Sequence, residues 1–133
     1  MVRLAERALS LSKVDFVVTE GLRTVERQRE LVDAGASRTM NSRHITGHAI
    51  DVVAWVGGVR WDFGLYLQIA AAFRDASEVE GVPVRWGGAW QILTPNRDPA
   101  RMVQEYTEQT KQAGRKPFID AGHMELPVSK YPA

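Results

Sequence analysis

Three histidines stand in two short stretches of this chain. His44 and His48 lie in Ser42-Arg43-His44-Ile45-Thr46-Gly47-His48-Ala49-Ile50-Asp51, and His123 lies in Asp120-Ala121-Gly122-His123-Met124-Glu125-Leu126. The sequence has no cysteine, so a zinc site here has to use imidazole nitrogen and carboxylate oxygen. Catalytic zinc usually keeps three protein ligands and leaves one position open. His44, Asp51 and His123 form such a set, with a bend at Thr46-Gly47 to turn the first two toward one point. Two neutral imidazoles and one carboxylate leave a divalent ion with net positive charge, which lowers the pKa of its water from ~15.7 toward ~7. That chemistry suits amide hydrolysis.

Hydrolysis also needs a proton acceptor. Asp120 precedes His123 by three residues and would face the other way on a regular strand. Gly122 allows a local bend that brings the two together, so Asp120 is the expected general base. Glu125 is the competing candidate, either as base or as the partner that orients a ligand. Asp51 is flanked by Ile50 and Val52-Val53, and an unpaired charge in such a setting is costly. It therefore needs a partner, either a metal or an arginine. His48 is expected to pack or to make a hydrogen bond rather than to ligate.

These residues have to be held by surrounding elements. The spacing of Leu4, Ala5, Ala8 and Leu11 predicts a helix over 3–11. Residues 15–19 are β-branched and predict a strand, broken by Gly21. Thr24 is the expected N-cap of a helix with Val25, Gln28, Leu31 and Val32 on one face, ended by Gly35. Residues 36–47 read as a polar loop. Residues 48–55 read as a buried strand, and Gly57-Gly58 as a hairpin turn to a strand at 59–61. A helix over 64–80 is stopped by Gly81 and Pro83, and a strand follows at 84–86. Asp98-Pro99 starts a helix over 99–113 with a thin apolar face, placed on the surface. The last strand is expected around 123–126. The mixture predicts an α+β domain with a small antiparallel sheet backed by helices.

The composition narrows the functional classes. A chain of 133 residues fits one domain. Net charge is +1, which offers no basic stripe for nucleic acid. No apolar run approaches the ~20 residues of a membrane helix, so no membrane insertion is expected. Met1 to Ser12 does not read as a signal peptide, so synthesis in the cytoplasm and release by another agent are expected. No Asp-rich loop of the calcium-binding type occurs.

The order Ser42-x-His44-x-x-Gly47-x-Ala49-x-Asp51, then Asp120-x-x-His123-x-Glu125-Leu126, resembles the LAS-type zinc peptidases. These include VanY-like D,D-carboxypeptidases and the L-alanyl-D-glutamate endopeptidases of phage endolysins. Glu20-Gly21-Leu22-Arg23-Thr24 with Gln28 is similar to another segment of that family, and Trp86-Gly87-Gly88 to a segment of its endopeptidases. The resemblance runs from about residue 15 to 126. It implies a hedgehog/D-Ala-D-Ala-peptidase-like fold and one zinc ion on His44, Asp51 and His123. It further implies Asp120 as the catalytic acid–base and Arg23 as the group that polarises or binds the substrate, with a structural salt bridge as Arg23's alternative. Ser42 is implied to hydrogen-bond near the site, with holding the loop as its alternative, and Trp86 to line the cleft, with a place in the core as its alternative.

One departure from the pattern is Ala89, where related endopeptidases often carry an acidic residue after the two glycines. The reading is a monomeric, single-domain endopeptidase, 1–133, that cuts the stem peptide of bacterial peptidoglycan between L-Ala and D-Glu and reaches the wall at lysis. The alternatives are a D,D- or L,D-carboxypeptidase of the same fold, and a non-catalytic zinc-stabilised wall-binding domain.

Overall fold

The strand that carries Asp51 is an interior strand of the sheet. In a computed structural model describing residues 1–37, 39–40 and 42–132, β2 (Ala49–Trp55) runs antiparallel between β1 (Phe16–Glu20) and β6 (His123–Glu125). The far side of β6 pairs with β4 (Arg85–Trp86), and β4 pairs with β5 (Gln91–Ile92). β3 (Val59–Arg60) folds back on the end of β2. The path is β1-β2-β6-β4-β5, with every pairing antiparallel.

Side chains alternate across a strand, and here the two faces have different tasks. Ile50, Val52, Ala54 and Met124 are buried in the apolar core. Asp51, His123 and Glu125 point to the opposite face. The core side is covered by α3 (Phe63–Glu80), whose Ile69, Phe73 and Ala76 are fully buried. The Phe73 ring lies 5.6 Å from that of Phe16 on β1. Gly81, at φ +66°, ends α3 in the left-handed conformation that glycine adopts without a Cβ penalty. The amphipathic α1 (Val2–Leu11) buries Leu4 and Ala8 and packs against α3.

Two short helices serve the loops of the site. α2 (Val25–Asp33) is capped by Thr24, whose Oγ1 accepts from the Arg27 N–H at 3.1 Å. Its inward contact is polar rather than the apolar face expected. Gln28 is fully buried, whereas Val25 is exposed. The Gln28 amide instead ties Arg23, Ser37 and Thr39 together. α4 (Pro99–Gln112) starts at Asp98, which caps the Ala100 N–H. It buries Met102, and its Tyr106 hydroxyl bonds the backbone of Phe118 at both N and O. That helix therefore fixes the segment leading to Asp120.

The expected strands and helices are present with ends shifted by a residue or two, as helix and strand ends usually are. The addition is β5. The Gly87-Gly88 turn leads into a returning strand, which is too short to leave a periodic signal. No described helix is long and apolar enough to cross a membrane.

Candidate metal centre and active site

His44 lies in the loop before β2, and the loop is closed by its own backbone. Gly47 N–H donates to the His44 carbonyl and His48 N–H to that of Arg43. Gly47 takes φ +78°, so a side chain there would be strained. Arg43 is buried and anchors the loop by donating to the carbonyls of Leu126 and Tyr131. Ser42 Oγ accepts from the His44 N–H at 3.2 Å. The loop thus presents the His44 ring to the open face of the sheet.

There it meets two strand residues. His44 Nε2 is 3.2 Å from Asp51 Oδ1 and 3.3 Å from His123 Nδ1, and His123 Nδ1 is 3.3 Å from Asp51 Oδ1. These three atoms form a nearly equilateral triangle. A tetrahedral ion with bonds of about 2.0–2.1 Å has ligand–ligand edges of about 3.3 Å. The group fits zinc in donor type and in spacing, and its three residues can hold a metal ion.

Each ligand is also oriented from behind. His44 Nδ1 is 2.8 Å from the Gly21 carbonyl, so it carries the proton and leaves Nε2 free. His123 Nε2 is 2.8 Å from Glu125 Oε1, which orients that ring in the same way. Asp51 Oδ2 accepts from Arg23 Nη2 at 3.1 Å, and Oδ1 faces the two imidazoles. Of the two partners considered for Asp51, a metal or an arginine, the arginine is in direct contact, and the three donor atoms are spaced so that they can hold a metal ion as well.

The electrostatics follow from these contacts. Burial raises the Asp51 carboxyl's pKa, but hydrogen bonds from His123 and His44 overcome it and hold that pKa well below the usual carboxylate range. Burial disfavours a charged His123, yet bonds to Asp51 and Glu125 and the charge of Asp120 push its pKa to about 9 in the metal-free protein. Glu125 is held low because bonds to His123 and the charge of Arg85 outweigh its burial. Asp120 moves the other way. Burial and the neighbouring Asp51 charge raise its pKa.

Asp120 is placed by the Trp86-Gly87-Gly88 turn. Asp120 N–H donates to the Gly87 carbonyl, Gly87 N–H to the His123 carbonyl, and His123 N–H to the Asp120 carbonyl. A Cβ on Gly87 would overlap the Asp120 carbonyl oxygen and sit 2.9 Å from His123 Cβ. Gly122 is required for a related reason. Its φ is ordinary, but a Cβ there would strike the Val52 carbonyl oxygen. The expected bend is thus a close approach of two backbones.

The triangle opens on a cavity of about 600 Å³ lined by Arg23, Ser42, Asp120, Glu125, Arg85 and Trp90 among others. Arg23, 8 % exposed, also donates to Glu20 and Gln28 at 2.7 and 2.6 Å. The salt bridge considered for it exists, and the residue borders the cavity as well. Both Glu125 oxygens are engaged, Oε1 by His123 and Oε2 by Arg85 at 3.3 Å. His48 bonds Thr46 and stands outside the triangle.

Trp86 has to be reassigned. It is 0 % exposed, packs in the core and donates Nε1–H to the Ala121 carbonyl. Trp90 occupies the cavity wall instead, its ring 5.3 Å from that of His123 and under the Arg85 guanidinium. Trp90 has φ +55°, a costly conformation for a bulky residue. Its Nε1–H bond to the Phe118 carbonyl at 2.7 Å helps hold it. Sequence reading missed Arg85 and Trp90. Alternation offered a signal for Arg85, since a core-facing Trp86 turns its neighbour to the cleft. Ala89 is buried beside this turn and does not line the cavity.

Comparison with known proteins agrees with this picture. Residues 1–127 match the family model described as phage L-alanyl-D-glutamate peptidase. The L-alanyl-D-glutamate peptidase of Escherichia phage T5 is 30% identical over 129 residues, covering 93% of this chain and 84% of that protein. A Listeria phage protein of the same name is 31% identical over 83 residues, covering 62% of this chain and 29% of that protein. The crystal structure of the Serratia marcescens L-Ala D-Glu endopeptidase ChiX superposes with a TM-score of 0.74 at 41% identity, covering 99% of this chain and 81% of that one.

Proposed function

The chain belongs to the phage L-alanyl-D-glutamate peptidase family, and from that premise we propose that it is a zinc-dependent peptidoglycan endopeptidase cutting the stem peptide between L-Ala and D-Glu. The observation that carries the zinc reading is the triangle of His44 Nε2, Asp51 Oδ1 and His123 Nδ1, with edges of 3.2–3.3 Å, facing a cavity that also holds Asp120. His44, Asp51 and His123 would hold the ion. Zinc bound there supplies Lewis acidity, polarising the scissile carbonyl and making water acidic enough to ionise near neutral pH.

The protein's own groups perform the rest. Asp120 accepts the proton of the attacking water and passes it to the leaving amine. Its raised affinity for protons, from burial beside Asp51, suits both halves of that transfer. Arg23 fixes Asp51 and presents positive charge at the cavity wall, where it stabilises negative charge developing on substrate oxygen. Glu125, with both oxygens occupied, orients His123 rather than acting as the base. Ser42 holds the His44 loop, and Trp90 supplies the aromatic wall. The site residues named here all belong to one chain, so the site needs no partner subunit to complete it, and the reading is of a monomer acting on the bacterial wall reached at lysis.

Digesting purified sacculi with zinc-loaded protein and identifying the new termini by mass spectrometry tests this reading. New L-Ala carboxyl termini and D-Glu amino termini are expected. Release of free D-Ala alone would mark a carboxypeptidase and refute the endopeptidase.

A further inference from the structure

Beyond the metal centre, the structure carries a shallow depression of about 400 Å³ that meets the catalytic cavity at Asp51 and Asp120. Its rim is aromatic. Trp61 is 73 % exposed and lies with Phe63 and Tyr66 on one contiguous apolar rim. One face of its indole is stacked on Tyr66, with ring planes 6° apart and centroids at 6.4 Å. Tyr66 is itself held, its hydroxyl donating to the Arg60 carbonyl and accepting the Ala54 N–H. The indole therefore stands on a fixed support and offers its other face to solvent. Phe63 is half exposed beside it, and the ion pair Arg60–Asp62 lies next to it in sequence.

A rigid aromatic face beside exposed polar groups is the surface that suits a pyranose ring. The sugar's C–H face packs on the indole while its hydroxyls and acetamido group meet polar partners. The opposite flank of the cavity differs. It is lined by Arg85, Arg97 and Gln91 and meets the cavity at Arg85, Trp90 and Glu125.

The proposed substrate has the same polarity. The L-Ala amino group is acylated by the carboxyl of a muramic acid's lactyl group, so a sugar lies on that side. Beyond the scissile bond the D-Glu residue is linked onward by its side-chain carboxyl and keeps a free α-carboxylate. We propose that Trp61 is the platform of a sugar subsite that takes the muramoyl residue attached to L-Ala, with the acidic end of the stem peptide directed to the Arg85–Arg97 flank. This rests on the endopeptidase reading and adds the direction in which the substrate lies.

The test compares two substrates cut by the zinc-loaded enzyme, a muramoyl stem peptide and the same peptide without its sugar. Wild type should prefer the first, and Trp61→Ala should lower its kcat/KM by about tenfold more than that of the sugar-free peptide. Trp61→Phe, which keeps an aromatic face, should recover most of the preference. Equal losses on the two substrates, or none, would overturn the sugar subsite while leaving the endopeptidase intact. A concentration-dependent dimer that Trp61→Ala dissolves, with the preference unchanged, would give the patch to a second copy of the chain and also overturn it. Cleavage of neither substrate by wild type would overturn the endopeptidase reading and the subsite with it.

Discussion

Asp51 and His123 are opposed residues on the adjacent antiparallel strands β2 and β6, and their Oδ1 and Nδ1 atoms stand 3.3 Å apart. The register of one strand pair thus builds two-thirds of the metal triangle. A slip by one residue would turn His123 into the core and Met124 onto the site. The buried Ile50–Met124 pair beside them fixes that register.

His123→Ala removes one corner of the triangle. The variant should retain well under one equivalent of zinc after dialysis, measured by elemental analysis, and lose lytic activity. A full equivalent in the folded variant would contradict the ligand set.

Glu125→Gln leaves the triangle intact but weakens the acceptor behind His123. Zinc affinity should fall by about 10–100-fold, the usual effect of removing a ligand's outer partner. Competition with a chelator measures it, and an unchanged constant would mean that Glu125 does not orient the ring.

Asp120→Ala should keep its fold and its zinc while activity on sacculi falls by about 10²–10⁴-fold, as for loss of a general base. Unaltered lysis would remove Asp120 from the mechanism.

The proton held by His123 competes with the metal. In the metal-free protein its pKa is raised from 6.5 to about 9 by Asp51 and Glu125 against the opposing effect of burial. A raised folded pKa gives stability that is fully present below about 6.5 and is lost as pH rises through about 9. The metal-free protein should therefore lose part of its stability over that window. Zinc affinity should rise over the same window, because the ligand must be neutral. Calorimetry at pH 7.5 in buffers of different ionisation enthalpy should show proton release on zinc binding, and a buffer-independent heat would refute the coupling.

Gly87→Ala places a methyl group against the Asp120 carbonyl and His123. Overpacking of this kind costs about 1–3 kcal/mol, and here it displaces the base and a ligand together. Activity should fall more than thermal stability accounts for. Wild-type activity in the variant would show that the turn does not position Asp120.

The residue types alone determined the chemistry available to this chain. Without cysteine, its histidines and acids are the donors it can offer a metal ion, and their grouping in two stretches marked His44, Asp51, His123 and Asp120. Local signals likewise determined most elements, because a Thr24 or Asp98 cap and a glycine at φ +66° or +77° act within a few residues. Tertiary structure decided what depends on contacts far along the chain. It buried Trp86 and put Trp90 in the cavity, because only the β4–β6 pairing tells which face of the turn meets the core. It put Arg85 on Glu125 and Arg23 on Asp51 for the same reason. A side chain's role there is set by which atoms lie across the sheet, and no spacing along one strand contains that distance.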